Sequence, residues 1–110
     1  MPEIRNAFGG SVIAVADDKY ARQNSLWGND VLIAFDGNDI RRSHLGGELL
    51  ATVNGNDIRS SFNSSLLAVI HNDEIRNPFT GELLYMIDGN ASQIQKTSLA
   101  VTAMILDGRL

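Results

Sequence analysis

A three-residue phrase recurs along this chain at a nearly constant interval. It reads Glu3-Ile4-Arg5, Asp39-Ile40-Arg41, Asp57-Ile58-Arg59 and Glu74-Ile75-Arg76, with looser copies at Tyr20-Ala21-Arg22 and Gln93-Ile94-Gln95. The central residues lie 17, 19, 18, 17 and 19 positions apart. A period of about 18 is too short for a helix–helix repeat and suits one β-hairpin or one coil of a β-helix. Between copies the chain follows one plan. A short polar strand leads into a loop of Ser, Asn, Pro and Gly, then into a longer apolar strand, then into a tight turn. Asp36-Gly37, Asn54-Gly55, Asp88-Gly89 and Asp107-Gly108 supply the turns, with residues that tolerate the positive φ of a type I′ hairpin.

In the short strand the acid and the arginine flank the apolar residue, so they share one face while the centre takes the other. Ile4, Ile40, Ile58, Ile75 and Ile94 are therefore predicted core residues. The long strands, such as Val31-Leu32-Ile33-Ala34-Phe35 and Leu66 to Ile70, alternate poorly. A strand apolar on both faces is usually covered on both, so either the repeats wrap around these strands or another copy of the chain covers one face. One apolar residue also recurs in each loop, at Phe8, Leu26, Leu45, Phe62, Phe79 and Leu99. These are expected to fold inward and plug the end of the core. No helical period of 3.6 is evident, and no helix is expected.

Residues 1–110 thus read as a single all-β domain of six tandem hairpin repeats, closed or pseudo-symmetric, with a β-helix or solenoid as the alternative. The pattern, as in Gly37-Asn38-Asp39-Ile40-Arg41 and Gly55-Asn56-Asp57-Ile58-Arg59, resembles the bacterial β-flower proteins, small families of repeated hairpins with no assigned activity. The resemblance spans Glu3 to Gly108. The second copy departs from it with Ala21 for Ile and extra loop residues, and the sixth lacks the arginine and the loop glycine.

The net charge of −4 argues against broad attraction to nucleic acid or anionic lipid. The apolar runs fall far short of the ~20 residues a membrane helix needs, and the polar start Met1-Pro2-Glu3 shows no signal peptide. The chain has no cysteine, which removes disulfides and thiolate chemistry and fits a cytoplasmic location. His44 and His71 fall at unrelated places in their repeats, and the strand-end aspartates match turn chemistry. No metal, cofactor or catalytic set is predicted, and the chain reads as a non-enzyme.

The candidate binding residues are Arg5, Arg22, Arg41, Arg59 and Arg76, which a radial arrangement would set in a belt able to grip a small anion or glycan. Each acid two residues earlier offers a simpler reading, a ladder of solvated pairs contributing about 0–1 kcal/mol apiece. Trp27, the single tryptophan, is a candidate glycan contact or a core residue. The expected function is a non-catalytic interaction module acting as a homo-oligomer. Anion or glycan binding and a polymer-forming β-helix are the alternatives.

Overall fold

The computed structural model describes residues 2–7, 10–23, 31–42, 47–61 and 64–108. Five copies of the phrase build five strand pairs. The short strands are β1 (Glu3–Asn6), β3 (Tyr20–Gln23), β5 (Asp39–Arg42), β7 (Asp57–Ser60) and β9 (Glu74–Arg76). The long strands are β2 (Val12–Ala16), β4 (Val31–Asp36), β6 (Leu49–Asn54), β8 (Leu66–His71) and β10 (Leu83–Asp88). Every neighbouring pair is antiparallel, and β10 returns to β1 with Glu3 opposite Asp88, closing a ten-stranded barrel. Antiparallel closure rules out the β-helix alternative and leaves no free sheet edge.

The short strands behave as their alternation predicts: Ile4, Ile40, Ile58 and Ile75 are all fully buried in matching seats. The long strands behave differently for a specific reason. In all five, the register slips by one residue against the preceding short strand, so that Ile13, Leu32, Leu50, Leu67 and Leu84 have no residue opposite them. Such a β-bulge turns two successive side chains toward one face. The bulged residues pack against the core beside their buried neighbours Ala14, Ile33, Ala51, Ala68 and Tyr85. The poor alternation therefore records a bulge, and no second subunit is needed to explain it.

The hairpin turns sit one residue later than the dipeptides suggest. Asp36 pairs with Asp39, Asn54 with Asp57 and His71 with Glu74, leaving Gly37-Asn38, Gly55-Asn56 and Asn72-Asp73 as two-residue loops. Only the first residue of each has positive φ (60°, 63° and 56°). That is the signature of a type II′ turn, and not of the expected type I′.

The sixth copy of the phrase is not a hairpin. It is helix α1 (Gln93–Leu106), and it fills the barrel's interior. Ser92 accepts from the Gln95 amide, and the Gln95 side chain accepts from the Ser92 amide, a reciprocal cap. The expected Asp107-Gly108 hairpin turn is instead the helix C-terminus: Asp107 donates its amide to Ala103 and Gly108 turns away at φ 75°. Eight consecutive residues, Thr97 to Met104, are buried, which requires protein on all sides of the helix. The hydroxyls of Thr97, Ser98 and Thr102 donate to the helix's own carbonyls at 2.8 Å, so their burial leaves none unsatisfied.

The helix runs from the tight-turn end to the loop end. At its start Gln93 donates to Gly55 O (2.9 Å), Gln95 to Asp17 O (2.9 Å) and Lys96 to Asn72 O (2.6 Å), stitching three turns together. It approaches β2, β3 and β4 most closely, where Ala14, Ala16 and Ala21 face inward. Tyr85 on β10, farther from the helix backbone, is the largest fully buried side chain, and its hydroxyl donates to Asp107. Ala21, the departure from the repeat, is thus part of the helix's seat. Restoring the repeat's isoleucine with Ala21→Ile is expected to lower stability by about 1–3 kcal/mol through overpacking, read as a lower urea midpoint at unchanged slope.

Candidate functional site

The five candidate arginines lie on the outer wall, one per hairpin. Each sits between outward-facing residues of the flanking long strands: Arg5 between Val12 and Met86, Arg22 between Val15 and Val31, Arg41 between Ala34 and Leu49. Arg59 lies between Thr52 and Leu66, and Arg76 between Val69 and Leu83. This register lays the alkyl stems over apolar wall positions. All ten of those wall residues are half-buried.

Four of the guanidinium groups have two structural tasks each. Each pairs with an acid of its own unit: Arg5 with Glu3 (3.3 Å), Arg41 with Asp39 (3.7 Å), Arg59 with Asp57 (3.6 Å) and Arg76 with Glu74 (2.8 Å). It also donates to a carbonyl of the following loop: Arg5 to Gly10 (3.4 Å), Arg41 to Gly47 (3.1 Å), Arg59 to Ser64 (3.0 Å) and Arg76 to Gly81 (2.8 Å). Gly47, Ser64 and Gly81 all have positive φ (52°, 59° and 74°), so the clamp fixes one loop geometry in successive units. The structure spreads these arginines around the circumference and does not gather them at one point.

The second unit keeps the ion pair by a different route. Tyr20 occupies the place of the acid, and Arg22 pairs with Asp17 of the preceding turn at 3.6 Å. That turn has the length of the others, with Ala16 opposite Ala21 as Phe35 is opposite Ile40, and the Asp17 amide donates to Tyr20 O (2.9 Å). The Asp17 carboxylate accepts from the Lys19 and Tyr20 amides, both at 2.8 Å. Its pKa is lowered, most of all by the Lys19 amide. Partial burial opposes the shift, and the Tyr20 amide and Arg22 reinforce it.

The broken symmetry opens a cleft of about 480 Å³ at the turn end of the barrel. Tyr20, Ala34, Phe35 and Ile94 form its apolar surface, and Asp18, Lys19 and Asp36 stand at its edge. Ile94, expected to face the core from a sixth strand, lies half-buried in the first turn of the helix. This is the site that the sequence reading missed; the signal was Tyr20 standing where the other four hairpin copies carry an acid.

The remaining loop candidates divide. Phe79, expected as a plug, is instead 82% exposed. Its loop closes on itself, with Asn77 accepting from the Phe79 and Thr80 amides and the Gly81 amide returning to Asn77 O, which lifts the ring away from the core. Leu99 is buried, but on the helix. Phe8, Leu26, Trp27, His44, Leu45 and Phe62 lie outside the described residues, and His71 is exposed at the end of β8. Among the described residues no group of acids and histidines could hold a metal ion, and no helix is long and apolar enough to cross a membrane.

A closed antiparallel barrel of hairpins around an axial helix defines a small, predominantly β class of protein. The chain belongs to the family described as 6-fold beta flower protein, whose model matches residues 4–108. The match bears out the likeness drawn from the hairpin phrase and continues through the helix. No curated protein and no solved structure matches the chain.

Two outcomes are expected. Arg59→Ala loses a charge-assisted hydrogen bond and an exposed pair, and should lower stability by about 1 kcal/mol, a fall of several degrees in melting temperature. Asp17 provides a pH test. A carboxyl whose folded pKa lies below its unfolded value of about 3.9 stabilises the fold above that value. The contribution is lost as pH falls through the folded pKa. Asp17→Asn should therefore flatten the acid limb of stability below about pH 4, measured by urea denaturation across a pH series.

Proposed function

We propose that this chain is a non-catalytic interaction module, a rigid drum that offers its loop end to other copies of itself. The observation that carries this reading is Phe79, a large aromatic ring 82% exposed on a loop held by Arg76 and Asn77. An ordered aromatic side chain presented to water on a fixed loop is suited to a contact surface. Leu106, at the end of the helix, is also partly exposed (37%). Membership in a family of small β proteins is consistent with a role without catalysis, and the cysteine-free composition suits the cytoplasm.

The outer wall suits association less well, because the arginine stems and their acid partners already cover much of its apolar surface. Sedimentation velocity tests the reading directly. The unmodified chain should associate as its concentration rises, and Phe79→Asp should remain monomeric with an unchanged melting temperature. A chain that stays monomeric throughout, or a Phe79→Asp variant that still associates, would overturn it.

A further inference from the structure

We infer that the cleft beside the β2–β3 turn binds a small organic monocation with an apolar body, such as an aromatic primary amine. The cleft exists because unit two departs from the repeat in two ways. Its acid has become Tyr20, and Asp17, at the place that Asp36 holds in the next hairpin, has become the partner of Arg22 across a turn of unchanged length. Asp17 is engaged by two backbone amides and an arginine. Among the described residues, no ion pair engages its neighbours Asp18 and Asp36.

The cleft thus combines an aromatic ring 40% exposed, an apolar floor from Ala34, Phe35 and Ile94, and two exposed carboxylates. At about 480 Å³ it falls within the range of small-molecule sites. A positive charge there meets both carboxylates and the electron-rich face of a tyrosine ring. Lys19 stands at the same edge and offsets one of the carboxylates, so the net charge suits a monoamine and disfavours a polyamine. The helix start adds a partial positive charge of roughly half a unit, but Ser92 and Gln95 already cap it.

The test is a titration of the ¹⁵N-labelled chain with phenethylamine and, separately, with phenylacetate, which keeps the ring but carries the opposite charge. Phenethylamine should shift the amides of Asp18, Lys19, Gly37 and Ile94 saturably, and phenylacetate should bind at least about tenfold more weakly. Combining Asp18→Asn with Asp36→Asn should weaken phenethylamine binding by about tenfold or more without changing the melting temperature, since neither carboxylate holds the fold. Tyr20→Leu, which keeps an apolar wall but removes the ring, should weaken it as well. Absence of saturable shifts up to ~10 mM, equal affinity for phenylacetate, or indifference to the double substitution would overturn the assignment.

Discussion

The structure depends on one steric constraint: ten strands enclose more space than their own side chains can fill. Barrels of about eight strands are just filled by inward-facing residues, and wider ones need something inside. Here that is the helix, whose residues from Thr97 to Met104 are buried. Leu99, Val101 and Met104 each contribute roughly 1.5–3 kcal/mol by burial, and the wall gains partners for its own inner face. The fit is asymmetric. Small residues on β2 and β3 admit the helix, while Tyr85 occupies space on β10 and reaches Asp107 at the helix end.

The same economy governs each hairpin. A single bulge per long strand sends an extra aliphatic residue inward, so a short strand pair supplies more core than strict alternation would allow. The arginine then ties the outside together, bridging an acid on its own strand and the carbonyl of its own loop. Four units use one solution, and in the second Asp17 supplies the acid. What looks like erosion of the repeat at Tyr20-Ala21-Arg22 is compensated residue by residue: Ala21 for the helix, Asp17 for the arginine, and Tyr20 for the cleft.

The hairpins were legible because period-two alternation and the turn dipeptides act locally. Ile4, Ile40, Ile58 and Ile75 occupy the seats their spacing implied. The helix was hidden for physical reasons. Buried on all sides, it shows no polar stripe and hence no 3.6-residue period. Five of its fourteen residues (Ile94, Thr97, Val101, Thr102 and Ile105) are β-branched and favour strands. The informative marks were at its ends, in the Ser92–Gln95 capping pair and in Gly108, which reads equally well as a turn glycine. The long strands misled differently, since a bulge and a two-sided strand give the same apolar run. The rim cleft is a tertiary product of neighbouring hairpin turns and a helix start, and only its Tyr20 was visible in the chain.

The ladder between β1 and β10 has a consequence of its own. Every other strand pairs with neighbours in the chain, whereas this seam joins Glu3 to Asp88 across the whole wall. Closing it carries the largest loop entropy in the molecule, and the buried helix lies within the ring that it shuts. A latch of this kind bears on the rate of unfolding, a property distinct from the depth of the free-energy well.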